Sequence, residues 1–101
     1  MNKMNILETI SFTADKPTIL AVRKTNNINV IAVGLLQNQL LKKHKTSIPT
    51  MLLVLKGNVE FTIEGEVIAL KQYDTYQIPV NIEHEVKGLA GENCFLLTQE
   101  K

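Results

Sequence analysis

The chain has 101 residues, 11 Lys and Arg against 10 Asp and Glu, two histidines, one cysteine and no tryptophan. That length makes one domain with a modest core, and a formal charge of +1 supplies no global field toward nucleic acid or an anionic membrane. A 45% apolar share with 21% charged residues excludes wholesale disorder, and a single cysteine excludes an internal disulfide and a multi-cysteine zinc site.

The opening residues, Met1 to Glu8, reach an acidic side chain before any useful apolar region builds up, so no export signal is expected. The longest purely apolar run is Met51 to Leu55, whereas a membrane helix needs about 20 residues. With the lone cysteine, these features lead to the expectation of a cytoplasmic protein with no membrane or nucleic-acid partner.

Valine, isoleucine and threonine supply 27 of the 101 residues. Branching at Cβ suits a pleated sheet, so the composition leans to β structure. In chain order, strands are predicted over residues 18–23, 29–36, 39–45, 50–56, 59–63, 67–70, 76–79, 83–87 and 94–98. Gly57-Asn58 reads as a two-residue hairpin turn, because glycine supplies a positive φ. From Val59 to Ile63 apolar and polar residues alternate strictly, and Glu64-Gly65-Glu66 is a second tight turn. Pro49 interrupts one helical possibility, and residues 38–45 lack a clear apolar face. About eight short strands without a convincing helix argue for an antiparallel sandwich or barrel.

Few residues can carry chemistry. His44 lies near the end of one predicted strand and His84 opens another, just after Pro79. Two imidazoles from separate strands can converge on one cavity, or they can sit apart on the surface. Lys42-Lys43-His44-Lys45 is either the mouth of an anion site or a solvated edge that discourages aggregation. Cys94 has no local base to activate it and reads as a small buried apolar residue.

The stretch from Leu40 to His84 resembles the cupin superfamily. The resemblance rests on Val54-Leu55-Lys56-Gly57, on Val59-Glu60-Phe61-Thr62-Ile63, and on the run from Tyr73 to Pro79 followed by His84. It implies an all-β fold, a double-stranded β-helix or jelly-roll barrel, as a single cupin domain over residues 1–101. Residues 1–16 would form an N-terminal arm, exchanged in a homodimer. Apolar Ile6, Leu7, Ile10 and Phe12 in that arm, and the exposed edges of a small sandwich, point the same way.

In the resemblance, His44 takes the place of the first motif histidine and His84 that of the second-motif histidine. Thr46 stands where the second histidine belongs and Thr50 where the glutamate belongs. Tyr73 and Asn81 replace glycines, and Gly88 replaces a terminal asparagine. Half of the four-ligand set is missing, so the implied cofactor is either none or a weakly held divalent Fe, Mn, Ni or Zn on His44 and His84. Glu83 and Glu85 flank His84 but alternate to the opposite face, and Gln37 and Gln39 offer only weak amide donors.

If His44, Thr46, Thr50 and His84 face inward, Leu52, Val54, Phe61, Val86 and Leu96 join them, with Tyr76 at the rim. The expected ligand pocket is then His44, Thr46, Thr50, Leu52, Phe61, Tyr76 and His84. Three functions follow. The first is a stand-alone cupin binding a small molecule in the barrel. The second is a metal-dependent oxygenase or isomerase using His44 and His84. The third is a non-catalytic dimeric interaction domain.

Overall fold

The computed structural model describes residues 2–101. These form one short helix, α1 (Ile6–Thr9), and nine strands: β1 (Thr18–Lys24), β2 (Ile28–Leu36), β3 (Leu40–His44), β4 (Thr50–Lys56), β5 (Asn58–Ile63), β6 (Glu66–Lys71), β7 (Thr75–Ile78), β8 (His84–Gly88) and β9 (Glu92–Glu100). The strands make two antiparallel sheets, one in the order β1-β2-β9-β4-β7 and one in the order β3-β8-β5-β6. The jelly roll that the resemblance implies is met, and the nine strands fall at the nine predicted ranges to within a few residues. The helix was not anticipated. Asn5 caps it by accepting a hydrogen bond from the Glu8 amide at 3.0 Å.

The inner faces of the two sheets enclose one core. Val33, Leu35, Leu52, Val54, Val59, Phe61, Val86 and Phe95 are its fully buried centre. β5 follows the expected period of two: Val59, Phe61 and Ile63 point in, while Glu60 and Thr62 are half-exposed.

A second, smaller apolar layer covers the outer face of the larger sheet. There Ile10 packs on Ala32 and Cys94, with Ile6, Phe12, Leu20, Leu55 and Leu96 around them. The N-terminal arm therefore lies across its own sheet. Leu96, expected inside the barrel, belongs to this outer layer. On β9 the inward residues are Phe95 and Leu97, so the face assignment was off by one residue.

The Gly57-Asn58 hairpin is not formed. Gly57 does adopt φ +74°, but β4 pairs with β7 and β9 while β5 pairs with β6 and β8. The turn instead carries the chain from one sheet to the other. A Cβ at Gly57 would fall 2.6 Å from the Glu92 carbonyl and closer still to Asn93. The predicted turn at Glu64-Gly65 does close a hairpin, between β5 and β6, with both residues at positive φ.

Asn93 locks the crossover. It is fully buried, and its carboxamide is completely satisfied. Oδ1 accepts from the Asn58 amide at 3.1 Å and the Ala90 amide at 3.0 Å, while Nδ2 donates to the Leu35 carbonyl at 3.1 Å and the Ala90 carbonyl at 2.9 Å. One side chain thus ties β9 and β2 of one sheet to β5 of the other.

Two expectations follow for urea denaturation. Gly57→Ala should cost about 2 kcal/mol or more, from the positive φ and the backbone clash, and Asn93→Leu about 3 kcal/mol or more, because several buried backbone groups lose their partners. A loss under about 1 kcal/mol in Asn93→Leu would contradict the clasp. Tyr73 is a bulky residue held at φ +72° by its amide's 2.8 Å bond to the Val54 carbonyl. Tyr73→Gly should raise stability by about 0.5 to 1 kcal/mol, the relief of the left-handed backbone less the entropy of glycine.

Candidate functional site

The site is built on the pairing of β3 with β8. Leu41 faces Val86, and His44 faces His84, so three steps along β3 match two along β8. The extra residue is a bulge at Lys42-Lys43. Regular alternation would put Leu41 and His44 on opposite faces of the sheet. The bulge turns His44 to the inner face beside His84. The two rings meet edge-on, with centroids 4.4 Å apart and planes at 60°.

His84 is the anchored member of the pair. It is only 3% exposed and stacks on Phe61, with centroids 5.3 Å apart and planes within 18°. Tyr76 lies on Phe61 at 4.7 Å. Both rings bind backbone carbonyls through Nδ1: His44 to Lys42 at 2.7 Å and His84 to Ile82 at 3.0 Å. A carbonyl only accepts, so Nδ1 carries the proton in each ring, and Nε2 bears the lone pair in the neutral form. Burial holds the His84 pKa below its ordinary value. The Ile82 carbonyl opposes this shift, and the neighbouring His44 adds to it.

The threonines sit at the end of the barrel next to the pair. Thr50 is buried and donates to the Ile48 carbonyl at 3.1 Å. Thr46 Oγ1 engages the Ile48 amide at 3.3 Å. The β7–β8 loop closes over this end, where Asn81, at φ +60°, donates its amide to the Thr46 carbonyl at 2.7 Å.

These side chains line a cleft of about 200 Å³. His44, Thr46, Thr50, Leu52 and His84 are on its wall as expected from the sequence. Phe61 and Tyr76, also expected there, lie behind His84 and support it from the core. Gln99 was missed. It reaches the wall from β9, and its Oε1 accepts from Asn29 Nδ2 at 2.9 Å. The missed signal was the alternation of β9, which places Phe95, Leu97 and Gln99 on one face. Gln39 does not turn in. It braces the arm, donating to the Thr13 carbonyl at 2.6 Å and accepting from the Leu36 amide at 2.8 Å.

Outside the cleft the chemistry is sparse. Glu83 and Glu85 line a groove on the outer surface, facing away from the histidines. β3 is an edge strand, and Lys42 and Lys43 are exposed on it. Burial pushes the Cys94 thiol up to about 11, with Lys56 opposing the shift, so it is a packing residue and not a nucleophile.

The family model for the cupin domain matches residues 31–98. The chain belongs to the cupin family. Comparison with curated proteins gives no match. Among solved structures, the chain is similar to the protein TT1209 from Thermus thermophilus, at 18% identity and a TM-score of 0.89, covering 99% of this chain and 97% of that one. It is also similar to an RmlC-like cupin protein from Desulfovibrio desulfuricans, at 22% identity and a TM-score of 0.88, covering 99% and 96%. A cupin superfamily protein from Desulfitobacterium hafniense matches at 15% identity and a TM-score of 0.86, covering 96% and 88%. At these identities the likeness is one of fold.

Against the cupin pattern, Tyr73 and Asn81 replace glycines yet keep positive φ, so this cupin retains the turns without the residue that forms them most easily. The metal positions are a different matter. Among the described residues, no three His, Cys, Asp or Glu side chains gather as a metal-binding group. The threonines in the vacant places already engage the backbone at Ile48. A neutral hydroxyl is a poor transition-metal ligand, so the donor set on this cleft does not fit a cupin metal centre.

The depressed His84 pKa fixes a pH dependence. The unfolded chain binds the proton more readily than the folded one, so stability is full above the ordinary histidine value and falls as pH drops through and below it. The thermal midpoint should decline from pH 7.5 to pH 5.5, and His84→Gln should flatten that decline. An equally steep decline in the variant would assign the effect to other groups.

Proposed function

We propose that this cupin is a small-molecule-binding module whose site is the cleft at the His44–His84 end of the barrel. The reading rests on one observation: two imidazoles, two threonines and Gln99 converge on a partly enclosed space whose remaining wall is mostly apolar. Leu41, Leu52, Val86 and Leu97 give that space an apolar body. The cleft is smaller than a drug-sized pocket and holds about seven waters' worth of volume, so its ligand is a small metabolite.

The reading includes no resident catalytic metal, because the donors present do not complete one. Bulged β3 and buried His84 then serve to hold polar groups at fixed positions, not to ligate an ion. Exposed Leu7 on the arm and Ile19 on the edge strand β1 support a second element of the proposal, association of two copies through the larger sheet.

A thermal-shift screen of small polar metabolites tests the binding role. At a ligand concentration a hundred times its Kd, binding adds about 2.7 kcal/mol to stability. A true ligand should raise the midpoint of the wild type and lose most of that effect in Thr46→Val and His44→Phe. Failure of every compound, or equal stabilisation of wild type and variants, would remove the cleft as the site. Dialysis against Fe(II), Mn(II), Ni(II) or Zn(II) should leave well under one ion per chain. A full equivalent retained would restore the metal-dependent alternative.

A further inference from the structure

The polar atoms of the cleft specify more than its existence. His84 is almost wholly buried, yet its hydrogen bond runs only through Nδ1, to the Ile82 carbonyl. No buried side-chain nitrogen or oxygen among the described residues lacks a partner. His84 Nε2 is therefore the accessible corner of a buried ring, and the ring lines the cleft. His44 is held in the same way, with its Nδ1 proton on the Lys42 carbonyl. Both imidazoles thus present lone pairs.

Thr50 agrees with them in sign, and Gln99 is complementary. The Thr50 proton is already given to the Ile48 carbonyl, which leaves its oxygen as an acceptor. Gln99, its Oε1 taken by Asn29, adds an amide donor on the opposite wall. Among the described residues of the lining, Lys45 is the one cation, and it is exposed at the rim. An anion inside would lie against imidazole lone pairs and hydroxyl oxygens. Two imidazolium ions 4.4 Å apart would repel each other, so the pair is poorly suited to charging together to receive it.

We infer that the cleft selects a small neutral molecule with an apolar body and a hydroxyl group, which donates its proton to a histidine Nε2 and accepts from Gln99. This inference deepens the binding-module reading and rests on it. It assigns the ligand class: an uncharged alcohol or phenol, as opposed to a carboxylate or a phosphate.

Three probes of one shape separate the possibilities: phenol, its methyl ether anisole, and benzoate. Each is titrated into the full, isotope-labelled chain at pH 7.5 and followed by NMR at Thr50, Leu52 and the histidine ring nitrogens. Free protein should show Nδ1-protonated rings at both histidines. Phenol should shift the cleft signals and His84 Nε2 most, and bind at least about fivefold tighter than anisole, the value of one net hydrogen bond, with benzoate weaker still. His44→Phe, at an exposed position, should keep the fold and reduce that preference. Equal binding of phenol and anisole, preference for benzoate, or an Nε2-protonated His84 would overturn the ligand class and leave the cleft as a site. Absence of any cleft shift with all three probes would overturn the class and the binding-module reading together.

Discussion

The crossover at Gly57 and the buried carboxamide of Asn93 hold the two sheets in register. A two-layer barrel must carry its chain between layers somewhere, and each passage exposes backbone groups that neither sheet can pair. Asn93 meets that demand with all of its hydrogen-bonding capacity, linking Leu35, Asn58 and Ala90. Gly57 and Gly88 are both packed against it, with no room for a Cβ at either. Because β5 and β9 are fixed at this end, β8, which pairs with β5, has its inner face set over Phe61.

The histidine cleft at the other end inherits that geometry. His84 stacks on Phe61 and cannot leave the inner face without abandoning both the ring contact and the Ile82 carbonyl. His44 arrives by a different route, through a bulge in an edge strand. A rigid buried imidazole and a bulge-directed exposed one make an asymmetric pair. The buried ring resists protonation and supplies a constant acceptor, while the exposed ring lines the cleft from its solvent side.

Much of this is legible in the amino-acid sequence. β-branched composition, the alternation of Val59, Phe61 and Ile63, the turn at Glu64-Gly65 and the motif around Val54 and His84 sufficed for the jelly roll and for six of the twelve residues of the cleft wall. Local period-two alternation reports a residue's face reliably when the strand is regular and its register is known. It failed for Leu96, where the register was one residue out, and it overlooked Gln99 for the same reason.

What the amino-acid sequence determined by itself was local: which segments extend, where the chain turns with positive φ, and which few side chains can do chemistry. Which strands pair was decided by the tertiary structure. Gly57 needs the same φ whether it closes a hairpin or crosses between sheets, so the turn alone does not choose its partners. The meeting of His44 and His84 was decided there too. It depends on one extra residue in β3 opposite β8, and a bulge is a property of two strands in register, invisible in either one alone.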